Sequence, residues 1–315
     1  MRKIFSRKVW IGLILPALVF CSAGWYARHP IMGVVHALTL PVVGPPPAGT
    51  IRFAVIGDYG EGGPEERDVA QLVDSWKPDF VATVGDNNYP DGAADTIDKN
   101  IGRFYHSYIF PYKGSYGAGA STNRFFPIPG HRDWDNAALQ PYLDYFTLPG
   151  NERYYDVVWG PVHLFMLDTD EREPDGATAT STQGRWLENS LARSAAPWKL
   201  VFAHHAPYTS HRVPATLRMR WPFKAWGADA VLSGYYHIYE RLLVDGLPYF
   251  IDGAGGSWVS HFGEIDNNSR FRYNEDFGAL MVEASDTRIL FRFINRTGRL
   301  VDEYVMVKEQ ILSMI

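Results

Sequence analysis

Residues 127–134 read P-I-P-G-H-R-D-W, so that His131, Arg132 and Asp133 set an imidazole, a guanidinium and a carboxylate in consecutive positions. Such a run serves as a metal ligand beside a phosphate-binding arginine, as an altered catalytic loop, or as a plain polar turn. Four other segments bear on the choice: Gly57-Asp58-Tyr59-Gly60, Gly85-Asp86-Asn87-Asn88-Tyr89, His204-His205-Ala206-Pro207 and Gly234-Tyr235-Tyr236-His237. Each lies where a short apolar run ends. Together they offer carboxylates, phenols and imidazoles, donors that can hold metal ions.

The elements that must position these groups follow from periodicity. I-R-F-A-V-I (51–56) is a buried-type strand, and P-E-E-R-D-V-A-Q-L-V-D-S-W (64–76) follows it with apolar residues at helical spacing. The unit repeats with a strand over 79–84 and a helix over 93–108. Further strands are expected at 125–129, 162–168, 198–203 and 230–233, and helices at 182–193 and about 215–226. Beyond Ile238 the pattern turns to strands joined by tight turns, in 241–251, 278–284, 288–294 and 299–307, with Asp245-Gly246 a hairpin signal. This order suggests a mixed α/β sandwich, a fold type in which reactive groups gather beyond the carboxyl ends of strands.

The five segments, in this order and spacing, resemble the metallophosphoesterase (calcineurin-like) superfamily over about residues 51–305. Tyr89 in Gly-Asp-x-x-Tyr points to its purple acid phosphatase-like branch. The resemblance implies a four-layer αββα sandwich of two mixed β-sheets flanked by helices, within a domain spanning 50–308. It implies a first metal held by Asp58, Asp86, Tyr89 and His237, and a second held by Asp86, His205 and two positions that differ here. Where the family has Asn this chain has His131, and where it has the first His of Gly-His-x-His this chain has Tyr235. The other family histidine of the catalytic loop is Arg132. His131 is expected to ligate in place of the amide, and Tyr235 is a possible phenolate ligand. Arg132 is expected to hold phosphoryl oxygens, and His211 to protonate the leaving group.

The implied activity is hydrolysis of small phosphate monoesters by water or hydroxide at two metal ions, iron paired with zinc, manganese or iron. Two other readings stay open: a catalytically weak or inactive relative with one metal that acts as a binding module, and a phosphodiesterase. His163, inside the apolar V-H-L-F-M-L-D, reads as a strand histidine, and His106 and His261 have no partner in the pattern.

Composition bounds the rest. The chain has 315 residues, 46% of them hydrophobic, enough for a sizeable core. The start M-R-K-I-F-S-R-K is basic and is followed by about nineteen apolar residues, so 1–28 reads as a signal peptide or a membrane anchor and the protein as exported, periplasmic or secreted. Residues 29–49, ending in P-V-V-G-P-P-P-A-G, read as a Pro/Gly-rich linker. Cys21 is the only cysteine, which excludes an intrachain disulfide. Removing residues 1–28 takes away Arg2, Lys3, Arg7, Lys8 and Arg28 and no acid, moving the formal net charge from −5 to −10. An acidic body argues against a general nucleic-acid binder and for a small phosphorylated substrate.

Overall fold

The structure, a computed structural model, describes residues 44–308. The leader over 1–28 and most of the linker over 29–49 lie outside the described residues. Among the described residues, no helix is long and apolar enough to cross a membrane.

The chain builds two facing mixed sheets. The first runs in the order β13-β12-β11-β1-β2-β3, with β1 (Ile51–Ile56), β2 (Phe80–Thr83), β3 (Phe125–Phe126), β11 (Gly278–Ala284), β12 (Arg288–Asn295) and β13 (Leu300–Val307). The second runs β10-β8-β9-β7-β6-β5-β4, with β4 (Tyr155–Trp159), β5 (Val162–Met166), β6 (Trp198–Ala203), β7 (Ala230–Ser233), β8 (Tyr239–Val244), β9 (Leu247–Asp252) and β10 (Ser269–Tyr273). In the first sheet β1, β2 and β3 are parallel, and in the second β5, β6, β7 and β9 are. The strand ends that carry the candidate residues are the carboxyl ends of these parallel strands.

Between the sheets the inward residues form one core. Phe250 of β9 stacks on Phe291 of β12 at 4.5 Å between centroids, and Tyr239 of β8 on Phe293 at 4.1 Å. Aromatic stacking of this kind adds about 0.5–1.5 kcal/mol per pair to the area buried. On the outside of the first sheet lies the Pro64–Trp76 helix, opened by Pro64 with Glu65 and Glu66 in its first turn, where its dipole favours acids. It buries Val69, Leu72, Val73 and Trp76. The Thr182–Arg193 helix, capped by the Ser181 hydroxyl, sets Leu187 and Leu191 in a second apolar cluster with Val201, Ala203 and Val231. The layers are therefore helix, sheet, sheet, helix.

Several elements differ from the sequence pattern. No helix forms around 215–226, where only a short turn, Leu217–Met219, is helical. Pro222 lacks an amide hydrogen and disfavours helical backbone at the residue before it. The 93–108 helix is broken into Ala94–Ile97, a wide turn Asp98–Gly102, Arg103–Tyr105 and His106–Tyr108, with Asp98 accepting from the Tyr112 and Tyr145 hydroxyls. Strands β4 and β10 were not legible in the pattern. They are the two edges of the second sheet, alternately exposed and poor in the apolar runs that mark central strands.

Arg52 of β1 joins helix to sheet. It is buried, donates to Glu283 Oε1 through Nε at 2.9 Å and Nη2 at 2.6 Å, and reaches the Trp76 carbonyl at 2.9 Å through Nη1. Arg52→Met leaves the Glu283 carboxylate only its longer contact with Arg292, at 3.4 Å, and is expected to cost about 3 kcal/mol in denaturant unfolding. The double variant with Glu283→Leu should recover most of that loss; an equally unstable double variant would show that the pair is not the source.

Candidate metal centre

Asp58, Asp86, Tyr235 and His237 all have positive φ, at 53°, 49°, 74° and 50°. Residues with a side chain pay on the order of 1 kcal/mol or more for this left-handed backbone, and keep it only where neighbours over-determine it. Here they do. The Asp58 amide donates to the Gly85 carbonyl at 3.0 Å, the Tyr235 amide to Asp58 Oδ2 at 2.9 Å, and the Arg132 amide to Asp86 Oδ1 at 2.9 Å. Two glycines allow the approach. A Cβ on Gly234 would lie 2.5 Å from Asp58 Oδ2, and one on Gly130 would fall on the Asp86 amide and carboxylate.

Asp133 ties the ends of β2 and β3. It accepts from the Gly130 amide at 2.8 Å and from the Asn87 side chain at 2.8 Å, and also from the Asn87 backbone amide. Burial, with the Asp86 charge added, pushes its carboxyl up to about 7. The acid of the His131–Asp133 run is thus a structural clasp, while His131 and the Arg132 amide are the groups of that run that reach Asp86.

The donors form two groups that share Asp86. In one, Tyr89 Oη lies 3.1 Å from Asp86 Oδ2, 3.5 Å from Asp58 Oδ1 and 3.3 Å from His237 Nε2, and His237 Nε2 is 3.4 Å from Asp58 Oδ1. In the other, His131 Nδ1 is 3.2 Å from Asp86 Oδ2, His204 Nε2 is 3.2 Å from Asp86 Oδ1, and the two imidazole nitrogens are 3.4 Å apart. Within Asp58, Asp86 and His237, and again within Asp86, His131 and His204, the donor atoms all lie within 4.8 Å of one another. His204 Nδ1 meets the Val84 carbonyl at 2.8 Å and His237 Nδ1 the Trp258 carbonyl at 3.2 Å. Those contacts turn Nδ1 of both rings to backbone carbonyls and Nε2 to the carboxylates, the orientation metal-ligating histidines take.

Charge in the group is unbalanced. Asp58 and Asp86 are fully buried, and no lysine or arginine side chain pairs with either among the described residues. Burial, aided by the Asp86 charge, pushes Asp58 well above the carboxylate range. Burial opposes ionisation of Asp86 too, but His204 and His131 hold it well below that range. His204 is lifted to about 10 against the effect of burial, by Asp86 and then Asp58, so a proton on His204 supplies part of the missing positive charge. Burial lowers His237 to about 4 and His205 well below the usual imidazole value. Buried carboxylates and imidazoles converging with no lysine or arginine side chain paired to the carboxylates among the described residues fit a metal site.

The structure brings Asp58, Asp86, Tyr89, His131 and His237 together. It also brings in His204, where the sequence pattern favoured His205. His205 Nδ1 bonds the Thr169 hydroxyl at 2.8 Å, and its ring lies against Tyr235 at 4.7 Å. The reason is strand alternation: Leu200 and Phe202 of β6 point into the inter-sheet core and Val201 and Ala203 into the outer cluster. Continued past the strand, the same parity sends His204 inward to Asp86 and His205 outward. That signal was present in the sequence and was outweighed by the His-x-Pro spacing.

Tyr235 approaches Asp58 through its backbone amide, while its ring packs between His131, His204 and His205. His211 is not brought to the group. Its Nε2 meets the Ser260 hydroxyl at 2.6 Å and its Nδ1 accepts from the Val213 amide at 3.0 Å, so both ring nitrogens are engaged. His163 is satisfied by Ser194 and Asp156, as a strand histidine should be. Two cavities flank the donors. One of about 310 Å³ is lined by Glu61, Tyr89, Pro90, Arg132 and Trp258, and one of about 430 Å³ includes His131, His205, Thr216, Arg218 and Tyr235 in its lining.

Comparison with known proteins agrees with this geometry. The family described as Calcineurin-like phosphoesterase matches residues 51–239. The chain is 26% identical to tartrate-resistant acid phosphatase type 5 of Rattus norvegicus over 299 residues, covering 80% of this chain and 89% of that one. Among solved structures it is similar to purple acid phosphatase PPD1 from yellow lupin, with a TM-score of 0.66 and 17% identity over 83% of this chain and 54% of that one. It is also similar to GAP50, described as the anchor in the inner membrane complex of Plasmodium, with a TM-score of 0.64 and 18% identity over 82% of this chain and 90% of that one. Family match, sheet order and the two donor groups agree: this chain belongs to the calcineurin-like phosphoesterase family, in its purple acid phosphatase-like branch.

Proposed function

We propose that the protein is a metal-dependent phosphatase that hydrolyses small phosphate monoesters. The observation that carries this is the sharing of Asp86 between an oxygen-rich and a nitrogen-rich donor group. Asp58, Asp86, Tyr89 and His237 would hold a trivalent ion, with iron the best match to a phenolate donor. Asp86, His131 and His204 would hold a divalent one such as zinc, manganese or iron. When bound, such a pair supplies Lewis-acid neutralisation of phosphoryl charge and makes water a competent nucleophile near neutral pH.

The chain's own residues do the remaining work. The Arg132 side chain lines the cavity beside Tyr89 and, among the described residues, pairs only with Asp135, Nη1 to Oδ2 at 3.4 Å, so its guanidinium has donors to give a phosphoryl oxygen. Its backbone amide at the same time fixes Asp86 Oδ1. Trp258 stacks on His237 at 3.9 Å and, with Pro90, gives this cavity an apolar wall beside Arg132. Arg132 cannot release a proton at working pH, and His211 is engaged elsewhere. Leaving groups that depart without protonation, such as phenolates, are therefore favoured over alkoxides.

A second reading, a binding module with a single ion, is favoured by one observation. The Tyr235 ring fills space between His131, His204 and His205, next to the nitrogen-rich group. Metal content separates the two. Purified protein is expected to hold two tightly bound ions and to hydrolyse an aryl phosphate well above an alkyl one, with Asp86→Ala lowering that activity by about three orders of magnitude or more. One ion or none, without hydrolysis, would favour the binding module.

Elemental analysis also distinguishes the adjacent histidines. His204→Ala should lose the divalent ion, about a 10–100-fold loss in affinity or more, while His205→Ala keeps it. The reverse result would return the ligand role to His205. If Tyr89 binds ferric iron, a visible charge-transfer band should accompany the iron and vanish in Tyr89→Phe; iron-loaded protein without such a band would remove the phenolate from the ligand set.

A further inference from the structure

The cavity on the His131 side contains an arginine that the proposed chemistry does not use. Arg218 lies in the Leu217–Met219 turn, held from below: Met219 is fully buried, the Trp221 indole donates to the Arg218 carbonyl at 3.0 Å, and the Thr216 amide donates to the Ala206 carbonyl at 3.0 Å. The backbone under Arg218 is therefore fixed. Its guanidinium is only partly engaged. Nε donates to Glu171 Oε1 at 3.2 Å, and that glutamate is 80% exposed, so the pair is screened by water. Nη1 is buried and has no hydrogen-bond partner.

The other arginine of the cavity shows what a structural role looks like. Arg172 donates to both oxygens of Asp170, at 2.7 and 2.9 Å, to Asp135 at 3.0 Å and to the His131 carbonyl at 2.9 Å, while its guanidinium lies over Trp134. Its charge is spent on Asp170 and Asp135, and its contact with the His131 carbonyl positions the ligand loop. The Arg218 side chain is only about a quarter exposed and lines a cavity with Thr216, His205, His131, Tyr235 and the carboxylates of Asp170 and Glu171, the first of them taken up by Arg172. A guanidinium held on a fixed turn at a cavity wall, its one carboxylate partner an exposed glutamate, has donors to give an anion.

We propose that Arg218 is a specificity-determining residue that holds a second anionic group of the substrate, so that the preferred substrates are small phosphate esters carrying another phosphoryl or carboxylate group. This rests on the phosphatase reading above. The scissile phosphoryl group lies at the donor groups with Arg132 on one side, and the second anion lies across His131 at Arg218. Arg132 and Arg218 line separate cavities, so the two anionic ends do not compete for one guanidinium.

The test uses the metal-loaded full-length protein and Arg218→Ala with two matched pairs: fructose 6-phosphate against fructose 1,6-bisphosphate, and glycerol 3-phosphate against 3-phosphoglycerate. An aryl phosphate without a second anion is the control. The wild type is expected to favour at least one doubly anionic member. In Arg218→Ala its kcat/KM should fall about tenfold or more, through KM, while the aryl phosphate changes less than about twofold. Arg218→Lys, which keeps the charge without the fork, should retain part of the preference. Which pair responds tells a phosphoryl partner from a carboxylate. Equal losses on all substrates, or no change on any, would overturn the assignment. Calorimetric binding of the same pairs gives a readout apart from turnover. A bisphosphate or phosphocarboxylate preference in binding that Arg218→Ala abolishes, in protein that hydrolyses nothing, would sink the phosphatase reading and keep only the assignment of Arg218 to a second anion; absence of any preference in binding would sink that assignment.

Discussion

Two carboxylates buried side by side, with no lysine or arginine side chain paired to either among the described residues, are the constraint on which the rest of this structure depends. Asp58 and Asp86 are removed from water, where ionised acids are costly, and the chain answers mainly with histidines rather than with lysine or arginine. Histidine is the one answer that can be exchanged. An imidazolium at His204 compensates Asp86 by a proton, and a metal ion can take that proton's place on the same lone pair. A guanidinium in contact would have neutralised the acids permanently and closed the site to metals.

The two-sheet architecture is what lets residues so distant in sequence meet. Asp58, Asp86 and His131 follow parallel strands of one sheet, His204 and His237 those of the other, and the inter-sheet aromatic core brings the two sets of strand ends to one place. The left-handed backbone at Asp58, Asp86, Tyr235 and His237 turns those chains sharply as they leave the sheets. That strain is held by amide-to-carboxylate hydrogen bonds from Tyr235 and Arg132, so the groups that fix the backbone also fix the ligand oxygens.

The altered loop departs from the family pattern in a graded way. His131 in place of an amide still reaches Asp86, and Arg132 in place of an imidazole keeps its backbone contact and turns its side chain to a cavity. Tyr235 changes most. Its ring occupies space among three histidines and narrows the room beside the nitrogen-rich donors, with Arg132 and Arg218 in the walls of the cavities on either side.

Much of this was legible in the sequence, since central strands and amphipathic helices write their period directly: 51–56, 64–76, 182–193, 198–203 and 230–233 fall where periodicity puts them. So do the donors Asp58, Asp86, Tyr89, His131 and His237, because they sit at strand ends. Illegible were the edge strands β4 and β10, whose alternation is shared with many loops, and the fate of 215–226, where helical apolar spacing lost to proline. The sequence by itself determined the donor types and the strands that carry them. Tertiary structure alone decided which of two adjacent histidines faces Asp86, that His211 is spent on Ser260, and that Arg218 is left with an unmade hydrogen bond. The first follows from which face of β6 meets the opposite sheet, and the others from contacts between loops far apart in the chain; neither is a property of local spacing.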